Sequence, residues 1–277
     1  MEEISIVAAP GHSKKGSSDD PARCSQIAGS LIAHCQERMR FRVTVLDPPD
    51  GLTVAEVQGY RQQFDSAHAA LYYPWITIVD PLDPDGGHKI HVPPSGHVAG
   101  IYARTDASRG VFQAPANEVV IGAVGLETLV NKAQQDLLNP MGINCVRFFA
   151  RRGYRLWGAR TVSAGPEWKY INVRRYFAYL EHSIDRGTQW AVFESNNETL
   201  WANVRRTVED FLFSEWRNGA LVGARSEEAF FVRCDRSTMT QNDLDNGRLV
   251  SLIGVAISRP AEFLIFRIGQ WTADCRP

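Results

Sequence analysis

The sequence predicts two successive halves of mixed class. Residues 1–140 form an α/β domain on a mostly parallel sheet, and residues 141–277 form an α+β domain. Three observations carry this. Strand-like apolar runs alternate with helix-period segments through the first half. Within it, Leu71–Val79 is nearly continuous in apolar residues, as in strands covered on both faces, which favours a parallel sheet. The second half instead follows a strand pair with two long amphipathic patterns and a closing set of strands.

Taken in order, Ile4–Ala9 is a short apolar run ending at Pro10-Gly11, suited to a buried strand and a turn. Asp20-Pro21 then offers an N-cap with proline at the first helical position. Ile27, Leu31 and Cys35 recur every fourth residue, so a helix is expected to about Arg40. Phe41–Leu46 alternates as a strand does. Thr53-Val54-Ala55-Glu56 is a capping box opening a helix with Val57, Tyr60 and Phe64 on one face. In Leu71–Val79, Pro74 calls for a bulge or an edge.

Asp80–Pro94 is a polar, proline- and glycine-rich loop. Ser95 is expected to cap a short helix through Val98, Ile101, Tyr102 and Thr105. Val119–Ala123 reads as a strand, and Leu126, Leu129, Val130, Ala133 and Leu137 as a helix stopped by Asn139-Pro140, where the domain boundary is placed. Beyond it, Ile143–Ala150 and Tyr154–Ser163 form a hairpin turning at Arg151-Arg152-Gly153. Val173, Tyr176, Phe177, Leu180 and Ile184 mark a helix ending at Gly187. Trp190–Glu194 reads as a strand. Leu200, Trp201, Val204, Val208, Phe211, Leu212 and Trp216 mark a longer helix, capped by Asn196 or Asn197 and stopped at Gly219. Ala229–Cys234, Leu249–Ser258 and Glu262–Gln270 complete the strands.

Bulk properties narrow the function. Thirty basic and thirty-one acidic residues give a net charge of −1, so no global attraction to nucleic acid or anionic membrane is built in. Hydrophobic residues at 44% and charged residues at 22% are the balance of a folded globular chain. No apolar run approaches the roughly 20 residues that span a bilayer. Cys24, Cys35, Cys145, Cys234 and Cys275 form no Cys-x-x-Cys pair and read as reduced, buried small apolar residues.

Candidate chemistry is thin. Asp80, Asp83, Asp85, His88 and His91 share one loop, but their spacing matches no EF-hand or zinc pattern, and Asp-Pro and Asp-Gly turn chemistry accounts for them. A hydrolase reading draws on Ser95, Ser108, His97, His91 and Asp106, without a Gly-x-Ser-x-Gly elbow. Pro10–Gly16 follows a strand and precedes a helix, yet lacks both phosphate-loop signatures. No metal ligands or cofactor site are assigned. Arg147–Arg160 interleaves arginine with aromatics, which could stack single-stranded nucleic acid. The same residue types are those of protein–protein hot spots, which is the preferred reading.

Several stretches, in one order, resemble contractile tail sheath proteins of phages and related injection machines. They are Tyr72-Tyr73-Pro74-Trp75, Pro93–Asp106, Gly110–Asn117, Leu138-Asn139-Pro140, Gly142-Ile143-Asn144, Trp157-Gly158-Ala159-Arg160-Thr161, Tyr170–Arg175, Gly187-Thr188-Gln189-Trp190 and Trp216–Leu221. The resemblance covers most of the chain and is strongest from Tyr72 to Phe266.

It implies a structural, non-enzymatic subunit that polymerises around a tail tube and contracts. The first domain is then the part called subtilisin-like by fold, here without a matching catalytic triad, and the second is the sheath C-terminal domain beside the tube. Implied partners are other sheath subunits, the tail tube protein, and baseplate and tail terminator proteins, with neither nucleic acid nor membrane bound directly. The implied location is a virion tail or injection particle assembled in the bacterial cytoplasm. Arg147, Arg151, Arg152, Arg155, Arg160, Phe263 and Phe266 are the expected subunit or tube contacts. Sheath proteins commonly open on an extended N-terminal arm, whereas this chain opens on Ile4–Ala9 and is expected to lack the arm.

Overall fold

The computed structural model describes residues 3–14 and 21–262. In chain order these form β1 (Ile6–Val7), α1 (Pro21–Ala33), β2 (Val43–Leu46), α2 (Val54–Arg61), β3 (Ala69–Tyr73), β4 (Ile76–Val79), β5 (Lys89–Val92), α3 (Ser95–Arg109), β6 (Glu118–Val119), β7 (Gly125–Leu126) and α4 (Lys132–Leu138). There follow β8 (Ile143–Phe149), β9 (Gly153–Trp157), α5 (Ile171–Thr188), α6 (Glu198–Arg217), α7 (Ser226–Ala229), β10 (Phe230–Arg233), α8 (Gln241–Asp245) and β11 (Leu252–Val255).

The main sheet has the order β1-β2-β3-β8-β9-β6. Pairs β1–β2, β2–β3 and β3–β8 are parallel, while β8–β9 and β9–β6 are antiparallel, so the sheet is mixed. Alternation along β3 sorts its side chains. Ala69, Leu71 and Tyr73 face one core with Leu46, Ile143, Val57, Tyr60 and Leu138, and therefore with α2 and α4. Ala70 and Tyr72 face the other core with Val45, Val146, Leu156 and α3, through Val98, Ile101 and Tyr102. Both faces are covered, which is why β3 is apolar throughout.

The run Leu71–Val79 is two strands, not one. Pro74 has no amide hydrogen to donate, so the ladder stops at Tyr73, and β4 restarts in a separate antiparallel sheet of order β5-β4-β7. A second difference concerns the hairpin. The sequence assigns Ile143–Ala150 and Tyr154–Ser163 to the second domain, but β8 pairs with β3 and the chain crosses residue 140 within one sheet. Sequence order shows the stop at Asn139-Pro140, not the partner that the next strand finds.

Three local readings also shift. Helix α4 is shorter than expected, because Leu126 lies in β7 and Asn131 forms the cap with Gln134 in a reciprocal box. Leu129 and Leu137 are exposed. Ser95 is the first residue of α3 and not its cap. Trp190–Glu194 begins in the 3₁₀ turn Gln189–Ala191 and continues in local bonds, Val192 N–H to Gln189 O and Glu194 N–H to Ala191 O, and pairs with no strand among the described residues. The capping box at Thr53 and Glu56 is as read, and of the two candidate caps for α6 it is Asn197 that caps the helix. Asp20 and all but the first residue of Glu262–Gln270 lie outside the described residues.

In the second half, α5 and α6 share a core with the β10–β11 ladder through Tyr176, Leu180, Val208, Leu212 and Val232. The start of α5 is tied to the main sheet. Ile171 is buried in the core shared with α3, and Asn172 donates to Phe112 O at 2.8 Å. Arg175 forms a two-pronged ion pair with Asp106 on α3 and lies 4.6 Å over the Tyr102 ring.

Candidate interaction surface

The β8–β9 hairpin carries most of the predicted contact residues. Its turn is set by Arg151 at φ 64° and Gly153 at φ 71°, so that two residues in left-handed backbone close a tight reversal. Register places Arg147 opposite Arg155 on one face, with Phe149 and Trp157 alongside. Like charges directly opposite each other repel, and the structure disperses them. Arg147 Nε donates to Val130 O at 3.1 Å, and Arg155 Nη1 donates to Asn117 O at 2.7 Å.

Arg152 donates to Asn117 Oδ1 and lies over both the Phe149 and Trp157 rings, at 5.5 and 5.7 Å, while Arg147 lies 5.1 Å from Phe149. Each such contact contributes about 0.5–1 kcal/mol when exposed. The aromatic pair itself sits at 4.6 Å. None of Arg147, Arg151, Arg152 and Arg155 has a carboxylate partner among the described residues. With Arg151 and Arg152 exposed at the tip, the hairpin is a cationic, aromatic-backed surface with its charge unneutralised. This arrangement suits an acidic protein surface, and the arginines already spend donors on carbonyls that a nucleic-acid platform would leave for phosphates.

Arg160 does not belong to that surface. It is only 7% exposed, and its guanidinium grips both oxygens of Glu262 at 2.7 Å. Asn139 Nδ2 at 2.7 Å, Tyr170 Oη at 2.9 Å and Lys169 Nζ at 3.1 Å complete the ring around the same carboxylate. Burial by itself would raise the Glu262 carboxyl, but these four donors outweigh it and hold it at about 2. Sequence reasoning missed Glu262, because its partners come from three separate places in the chain, at Asn139, Arg160 and Lys169-Tyr170. Phe263 and Phe266 lie outside the described residues.

The other candidates are occupied by structural roles. Asp80 and Asp83 accept from the amides of Leu82 and Asp85, and His88 bonds Asp80, closing the β4–β5 connection. Among the described residues no group of His, Cys, Asp or Glu is gathered to hold a metal. Ser95 is buried, and its amide donates to Asp47 Oδ1 at 2.8 Å, so the carboxylate sits at the positive start of α3. His97 is two residues on, where helical side chains do not face each other. Burial pushes Asp47 up to about 7 despite the bonds from Ser95 that lower it. No helix of the described residues is long and apolar enough to cross a membrane.

Against known proteins, residues 1–162 match the phage tail sheath protein central domain and residues 163–270 the phage tail sheath C-terminal domain. A prophage major tail sheath protein of Pseudomonas aeruginosa is 26% identical over 278 residues, covering 97% of this chain and 66% of that protein. The tail sheath protein of Enterobacteria phage T4 is 27% identical over 194 residues, covering 65% of this chain and 28% of that protein. This chain therefore spans two thirds or less of these curated relatives. Among solved structures, an anti-feeding prophage baseplate chain superposes with a TM-score of 0.83 at 34% identity, covering 98% of this chain and 69% of that one. A chain of an extracellular contractile injection system sheath complex in its contracted state gives 0.82 at 34%, covering 98% and 72%. The order of strands around β3, the two-helix second half and these matches, end to end, lead to one conclusion: this chain belongs to the phage tail sheath family.

Proposed function

We propose that the chain is a structural subunit of a contractile tail sheath, polymerising around a tail tube in a virion tail or injection particle assembled in the bacterial cytoplasm. The observation that carries this is the unbroken match of both sheath domains over residues 1–270, with a shared fold at 34% identity to a contracted sheath complex. Its partners on this reading are further sheath subunits, the tube protein, the baseplate and the tail terminator, and it binds neither nucleic acid nor membrane directly. The first domain corresponds to the subtilisin-like sheath core. Its end lies after the β8–β9 hairpin, near the junction of the two family matches, because β8 is an inner strand of the main sheet.

On this reading the protein is not an enzyme, and the free energy of contraction resides in subunit contacts. Arg147, Arg151, Arg152 and Arg155 face an acidic patch on a neighbouring subunit or the tube, since they hold unneutralised charge and rigid aromatic backing. Phe263 and Phe266 join them as subunit contacts. Negative-stain electron microscopy of the purified chain, alone and with a tail tube protein, tests the reading. Rings, stacks or tubes are expected; a monomer at all concentrations, with and without the tube, removes it. Measurable ATP hydrolysis by the assembled protein would contradict the energetics.

A further inference from the structure

Helix α5 opens on two buried arginines, Arg174 and Arg175, and has no acidic residue in its first turn. A cation there meets the positive end of the helix dipole, and a buried one is unfavourable unless it is well paired. Arg175 is satisfied by both oxygens of Asp106. Arg174 is not so provided. It is 7% exposed, yet its ion pair is a single contact, Nη2 to Glu181 Oε1 at 3.1 Å, with a carboxylate that is itself nearly half exposed. Such a solvated partner compensates little. Arg174 Nε is buried and has no hydrogen-bond partner at all. The guanidinium is nonetheless held in place, 4.8 Å over the Trp168 ring, and that indole is fixed edge-on to Phe177 at 5.1 Å.

Arg174 and Trp168 wall a cavity of about 300 Å³, lined also by Gln36 and Arg40 beyond α1, His68 ahead of β3, and Glu181. Arg40 is exposed and has no carboxylate partner among the described residues. Gln36 Oε1 accepts from Ser66 Oγ at 3.1 Å, which leaves its amide nitrogen to donate. His68 Nδ1 is engaged with Arg42 O at 3.1 Å, and burial, aided by the charges of Arg174 and Arg40 against Glu181, lowers its pKa, so the ring is neutral at pH 7. The cavity therefore sets two guanidinium groups against one carboxylate, with donors supplied from separate parts of the chain.

We propose that this cavity binds a small oxyanion, a phosphate or carboxylate group, between the guanidinium groups of Arg174 and Arg40, with the Gln36 amide as a further donor. Guanidinium forks match both groups in two-pronged geometry. The anion gives Arg174 what Asp106 gives Arg175, and Glu181 competes with it for the same guanidinium. The site lies within one copy of the chain and does not depend on assembly.

Isothermal titration calorimetry of the full chain at two temperatures, with inorganic phosphate and with succinate at constant ionic strength, tests this. Saturable one-to-one binding is expected, and the anion that gives it identifies the group. Arg40→Gln changes an exposed side chain, so it is expected to fold as wild type does and to bind about tenfold more weakly. Glu181→Gln removes the competitor and is expected to bind about threefold more tightly, which a purely structural role for the Arg174–Glu181 pair would not produce. Absence of saturable binding with both anions overturns the site. Binding that both variants leave unchanged overturns it as well, by placing the anion elsewhere.

Discussion

Asp47 and Glu262 are carboxylates moved in opposite directions by their surroundings, and each makes stability depend on pH with its own sign. Asp47 is raised from 3.8 to about 7, so between those values the folded chain keeps a proton that the unfolded chain has released. Its contribution is fully present below about pH 4 and is lost as pH rises through 7. Asp47→Asn keeps the acceptor for the Ser95 amide and removes the ionisation. Its advantage over wild type is expected to grow from pH 4 to pH 7, reaching on the order of 3 kcal/mol, and to level off above. Urea titrations across that range check it, and a gap that stays constant would refute the assignment. Glu262 is lowered from 4.5 to about 2, so its contribution is present above about pH 4.5 and is lost as pH falls towards 2. Glu262→Gln weakens the clamp on Arg160 and is expected to cost about 2 kcal/mol at pH 7, the gap narrowing below pH 4. Equal losses at pH 3 and pH 7 would show that packing, not charge, holds the site.

Elements meet here through a few positions that tolerate no alternative. Gly142 links the turn after α4 to β8 at φ 78°, and a Cβ there would collide with Thr161 O. Gly142→Ala is therefore strained twice, by backbone conformation and by contact, and is expected to cost at least about 2 kcal/mol. Thermal unfolding measures this, and a neutral outcome would mean that β8 can shift against the 159–162 segment. Gly158 is held as closely, since its Cβ would meet Asn144 Oδ1 at 2.7 Å. Asn144 in turn bonds Leu71 O at 3.1 Å and both main-chain groups of Arg160 at 2.7 Å, so one buried amide joins β3, β8 and the strand exit.

At the scale of the whole molecule, the sheet, the α5–α6 pair and the hairpin form a body whose charged and apolar projections point outward. The unneutralised hairpin tip gives a direct test. Reversing Arg151 to Glu is expected to change folding stability by less than about 0.5 kcal/mol, because Arg151 is exposed at the turn. It is expected to weaken assembly most at low salt, where the screening length is longest. Light scattering against sodium chloride concentration measures it. Assembly indifferent to the reversal at every salt concentration would remove the hairpin from the interface.

Local chemistry is legible wherever neighbours in sequence are also the partners. The capping box at Thr53 and Glu56, the turn at Arg151-Arg152-Gly153, the cap at Asn197 and the strand alternation of Ala69–Tyr73 are all contacts within a few residues. Their spacing alone determined the elements and the mixed α/β class. What only the tertiary structure decided is pairing across distance. Pro74 stops one ladder, but folding selects the separate sheet that β4 joins. The hairpin after Pro140 reads as the start of a new domain until β8 finds β3. Arg160 reads as surface until Glu262, 102 residues on, closes around it. Phe193 reads as part of a strand until local turns satisfy its backbone and leave its ring outside. In each case the deciding term is a non-local contact whose free energy exceeds a local preference, and no window of sequence contains both partners.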